Sequence, residues 1–158
     1  MERVIEVAVW FISAALVFVS VPRSLYREAW ISYLFMQALT WPMGLLAVQL
    51  GLLTYPSRFF AHALSTSLTY EFFALPCVSA IYNVRYPTSY PTIVKFAYTL
   101  SFVAVLTVGE VVLQKTTKLV AYIHWSWYVS FITISITLHL SYLFYKWFTK
   151  GSILDNKE

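Results

Sequence analysis

The chain has 158 residues, of which 59% are hydrophobic, 19% aromatic and only 11% charged, and its mean hydropathy is +0.68. Water-soluble domains average roughly 45–50% apolar and 25% charged residues, so this composition excludes a soluble globular or disordered chain and points to an all-α integral membrane protein. The net charge of +4 comes from basic residues scattered between apolar runs, which excludes nucleic acid as a partner and leaves membrane lipid as the expected one.

A membrane-crossing helix needs about 20 mostly apolar residues, and five such runs follow one another along the chain. They cover about Val4 to Pro22, Ala29 to Leu53, Thr66 to Tyr82, Ile93 to Leu113 and Ala121 to Trp147. The expected fold is therefore one transmembrane domain over residues 1–158, a bundle of about five helices with short connections. The first run is longer than the apolar stretch of a signal peptide, and its start, MERVIE, mixes one basic with two acidic residues, so it is read as a helix. Between the second and third runs, SRFFAHAL, with Arg58 and His62 beside Phe59 and Phe60, suits the membrane interface. Prolines 56, 87 and 91 punctuate the connections.

Five crossings put the two ends on opposite sides. Arg3, Arg58, Lys115 and Lys118 fall on the N-terminal side, against Arg23, Arg27, Arg85, Lys95, Lys146, Lys150 and Lys157 on the other. Seven against four favours a cytoplasmic C-terminus and an outside N-terminus. Trp10, Trp30, Trp41, Trp125, Trp127 and Trp147 fall mostly near the proposed ends, as an interfacial aromatic belt requires.

Within this apolar background a few polar groups stand out. Glu71 lies in TYEFFALPC, where a charge at membrane depth costs up to roughly 2.5–3.5 kcal/mol and so needs a partner or a proton. Because successive helices alternate in direction, Gln49, Glu71, Glu110 and His124 are expected at one depth, from four different runs. A second layer would pair Gln37 with His139, with Tyr142 on the same edge. At about 100° per residue, His124, Tyr128, Ser135, His139, Tyr142 and Lys146 form one edge of the fifth run. Ser126, Ser130, Thr133, Thr137 and Ser141 form the opposite one, which small hydroxyl residues suit to close helix packing. Pro42 and Pro76 each remove a backbone donor, leaving the carbonyls of Ala38 and Phe72 free and predicting helix kinks. Broken backbone beside a polar side chain is a common element of transporter sites.

The chemistry implied is limited. No HExxH, His-x-His or CxxC spacing occurs, so no metal or cofactor is expected. No nucleophile elbow surrounds a serine, and the lone Cys77 lies about 120° around the helix from Glu71, so no catalytic residue is assigned. The segments REAWISYLFMQALTW, GLLTYPSRFF, TYEFFALPCVSAIYNVRYP and IHWSWYVSFITISITLHLSYLFYKWF resemble a family of small multi-span membrane proteins of spore-forming bacilli and clostridia, without an established activity. The resemblance implies the same topology and a bacterial cytoplasmic membrane. An ion pair available to some relatives is absent here, where Thr54 and Met36 stand. The expected function is a small oligomeric channel or carrier for protons, ions or a small solute, assembling with copies of itself or another membrane protein. A structural or accessory subunit is the alternative, and a lipid-active enzyme the third.

Overall fold

The structure, a computed structural model, describes residues 1–59 and 64–155, with side chains through Lys150. Its helices are α1 (Glu2–Ser20), α2 (Tyr26–Gln49), α3 (Leu75–Val84), α4 (Thr92–Thr116) and α5 (Trp127–Asp155). A π-helical segment, Leu68–Ala74, runs directly into α3, and two short strands, β1 (Leu53–Thr54) and β2 (Ala121–Tyr122), pair antiparallel. The fold is helical, and four of the helices are long and apolar enough to cross a membrane: α1, α2 with the turn before it, α4 and α5.

Each departure from the expected spans has a local cause. The first helix stops at Ser20 because Val21 precedes Pro22 and is held extended, at φ −96° and ψ 121°. The second stops at Gln49 rather than Leu53. Gly51 takes a left-handed φ of 68°, its N–H bonds the carbonyl of Val48, and the N–H of Leu52 bonds that of Ala47; this is the Schellman ending, which glycine adopts without strain. The fifth helix begins at Trp127 rather than Ala121, because Ala121 and Tyr122 are taken by the strand opposite Leu53 and Thr54. His124 therefore does not open a helix. The SRFFAHAL segment falls partly on Phe60–Ala63, which lie outside the described residues with His62, as does Lys157.

The third run is the most changed. Its seven π residues and ten α residues fall short of the length expected of a crossing helix, and they form the middle of the bundle. α1, α2 and α5 all pack on α3, while α4 packs on α5. The backbone bond from Leu75 N–H to the Tyr70 carbonyl spans five residues, and in that register Pro76 leaves the carbonyl of Glu71 without a donor; in α register it would leave that of Phe72. Side chains one and two turns apart on α2 serve both: Thr40 donates to Glu71 (2.7 Å), and Gln37 and Tyr33 donate to Phe72 (3.0 and 3.3 Å). α2 itself runs as a single helix through Pro42.

The interior is unusually polar and the exterior apolar. Met36, Leu75, Tyr82, Val103, Ile134 and Leu138 make the main apolar core. Beside it, Asn83 of α3 donates to Ser32 of α2 (2.6 Å) and Ser141 of α5 (2.8 Å), and the hydroxyls of Ser79 and Ser141 lie 2.7 Å apart. All four residues are buried, so the serine-threonine edge of α5 packs inward. Phe11, Val105 and Trp147, by contrast, are exposed on the outer faces of α1, α4 and α5.

Candidate functional site

Two carboxyl groups from different elements reach one cavity of about 240 Å³ at the β-ribbon end of the bundle. It is lined by Glu71 and Glu110 together with residues of α2, the ribbon and α5. Both acids are buried, and neither forms an ion pair among the described residues. Their partners are hydroxyls. Glu71 accepts from Tyr55 (2.5 Å) and from Thr66. Glu110 accepts from Tyr122 (2.6 Å) and Ser130 (2.7 Å) on one oxygen and from Tyr70 (3.2 Å) on the other. Trp125 in turn donates to Ser130 (2.7 Å), which aims that serine's proton at Glu110.

The local fold explains why these groups meet. Tyr55 follows β1 and Tyr122 ends β2, so one ribbon carries a phenol to each acid. Further bonds tie the two connections together: Ser57 N–H to Lys118 (2.9 Å), and the N–H groups of Ile123 and His124 to Leu52 (3.1 and 2.9 Å). Burial, and then the neighbouring Glu71, push the Tyr55 phenol well above its ordinary pKa. Burial, followed by the bond to Glu110, does the same for Tyr122. Both phenols therefore stay protonated and act as donors at neutral pH. Gly44 of α2 faces the Glu71 carboxyl group so closely that a side chain there would overlap it.

Of the expected first layer, Glu71 and Glu110 come together. Gln49 and His124 do not join them: Gln49 is exposed on the last turn of α2, and the exposed His124 ring contacts the Gly51 carbonyl (3.3 Å) instead. The reason is the early end of α2 and the late start of α5, which move both residues out to the ribbon. The second layer is also dispersed. Gln37 is spent on the Phe72 carbonyl, the exposed His139 lines a separate groove between α4 and α5, and Tyr142 stacks on Tyr86 at 3.8 Å. Cys77 is a buried free thiol beside an apolar groove formed by α1, α2 and α3.

The side chains gathered around the two acids, Tyr55, Thr66, Tyr70, Tyr122, Trp125 and Ser130, carry no sequence signal as a group. Glu6 lies outside the expected layers. It is buried, pairs with Arg3 (3.2 Å) and lies 3.5 Å from the Thr69 hydroxyl, which accepts from Trp10 (3.0 Å). Its spacing of three residues from Arg3 is a readable helical pair. Among the described residues no three His, Cys, Asp or Glu side chains gather as a metal site would require. Comparison of this chain with known protein families, curated proteins and solved structures finds no match.

Proposed function

We propose that the chain is a multi-pass protein of the bacterial cytoplasmic membrane that carries a small cation or protons, with the Glu71–Glu110 cavity as its binding site. Lipid contact is supported by the apolar outer faces of α1, α2, α4 and α5, which in water would form exposed patches far beyond the usual few hundred Å². The observation that carries the reading is the meeting of two carboxyl groups, neither in an ion pair among the described residues, in one cavity. Buried acids in a membrane bundle are costly, and facing a cavity they complement positive charge. A carrier is favoured over a pore because the groove at His139 is separate from this cavity and has other walls. Seven basic residues against four favour a cytoplasmic C-terminus, and a bundle this small works with a second copy or another membrane protein beside it.

Reconstitution tests this. Proteoliposomes are expected to pass protons or a small monovalent cation under a pH gradient or a voltage, and Glu71→Gln is expected to slow that flux at least tenfold. Absence of flux above protein-free vesicles overturns the carrier reading. A structural or accessory role is the second reading, supported by the hydroxyl donors on both oxygens of each acid. Under it, Glu71→Gln lowers thermal stability in detergent or breaks a pull-down, with no flux to lose.

A further inference from the structure

We infer that the Glu71–Glu110 cavity takes an ammonium group carried on an apolar body about the size of one aromatic ring, reaching it from the side of the bundle. The inference rests on the reading of this cavity as the binding site and adds the chemical class of what it holds. The cavity's volume, about 240 Å³, is larger than the roughly 150 Å³ that accommodates a benzene molecule. A bare or hydrated ion would leave most of it empty. Most of its wall is apolar, with Leu53, Leu75 and Ile134 facing inward. Met43 and Leu46 of α2 and Leu50, which caps its end, line the same cavity yet are about half exposed or more, at 52%, 48% and 63%. The cavity thus opens through the apolar flank of α2, on the face turned to lipid.

Charge selects among the guests that fit this shape. Two carboxyl groups at the inner end repel an anion, and a neutral guest leaves them uncompensated. An ammonium group satisfies them, and the aromatic side chains of Tyr55, Tyr70 and Trp125, which also line the cavity, favour a cation beside them. The hydroxyls now on the acids fit this exchange, because a phenol or serine that yields its acceptor can turn and accept in its place. A metal ion is less well served: the two acids are held by separate sets of hydroxyls, with no third acidic, histidine or cysteine ligand beside them among the described residues.

The test uses purified full-length protein and three fluorinated probes of nearly equal size: 4-fluorobenzylamine, 4-fluorobenzyl alcohol and 4-fluorobenzoate, followed by fluorine NMR. The amine is expected to bind at least tenfold more tightly than the alcohol or the benzoate. Glu71→Gln combined with Glu110→Gln should lower the amine to the level of the alcohol while leaving the alcohol unchanged. If that double variant does not fold, Ile134→Trp, which fills the cavity from its apolar wall, should abolish binding of the amine and of the alcohol alike. Equal binding of amine and alcohol, or binding of none of the probes, overturns the inference. Loss of cation flux with charge selection intact would instead overturn the carrier reading and leave this one standing.

Discussion

A methyl group at position 44 would occupy the space of the Glu71 carboxyl group. Gly44 is therefore a packing requirement of the acid across the helix interface, and the two positions should be coupled. Gly44→Ala is expected to lower stability by about 1–3 kcal/mol, the usual cost of overpacking, and to cost little in a Glu71→Ala background. Thermal unfolding of the four proteins in detergent measures that coupling; equal losses in both backgrounds would show that the carboxyl group does not sit against α2. The donors of Glu71 differ in how readable they were. Thr66 stands five residues before it in the chain and is a local partner, whereas Tyr55 reaches it only through the ribbon. Tyr70 is the instructive residue: it precedes Glu71 directly, yet serves Glu110, because adjacent helical residues point about 100° apart.

Element ends, more than element positions, decided what could be read in advance. Long apolar runs located all five helical regions, since hydropathy is a local property. Pairing of Leu53 with Tyr122 joins residues far apart in the chain, and hydropathy carries no trace of it, so Gln49 and His124 were assigned a depth they do not have. The Schellman ending at Gly51 is readable from the glycine. Pro76 signals a freed carbonyl, but the π register moves it from Phe72, the expected one, to Glu71. The side chains of α2 that serve the two carbonyls are not readable, because depth alone pairs Gln37 with His139. Gln37→Leu should destabilise by roughly 0.6–1.7 kcal/mol, the range for buried hydrogen bonds between membrane helices. In a Pro76→Ala background the restored N–H can bond the Phe72 carbonyl, and the same substitution should cost clearly less. An undiminished cost there would separate Gln37 from the proline. The ribbon makes its own prediction: Tyr55→Phe and Tyr122→Phe each leave a buried carboxyl oxygen short of a donor, at about 1–3 kcal/mol. In Tyr122→Phe, Ser130 still serves the same oxygen, so this variant should be the milder of the two by thermal unfolding.

At the scale of the whole molecule, the question is whether the short central element crosses the bilayer. The π segment and α3 together span at most about 25 Å at 1.5 Å per residue, against a hydrocarbon core of about 30 Å. Two features would let so short an element cross. It is sheathed by α1, α2 and α5, so its ends meet protein rather than lipid, and its irregular carbonyls are bonded by Tyr33, Gln37 and Thr40, as unwound backbone at membrane depth requires. At its far end Arg85 donates to the Ser20 carbonyl (2.6 Å), tying the close of α3 to the close of α1. Crossing fixes the sidedness of every connection: the α3–α4 loop lies opposite the ribbon. Single cysteines at Ser57 and at Thr88, which flank the central element, in a Cys77→Ser background, should then react with a membrane-impermeant maleimide from opposite sides of oriented vesicles. A cysteine at Ser24 should follow Thr88, since the α1–α2 turn shares its face. If Ser57 and Thr88 label from the same side, opposite Ser24, the central element is re-entrant, and Glu71, four residues into it, lies close to the face by which the element both enters and leaves.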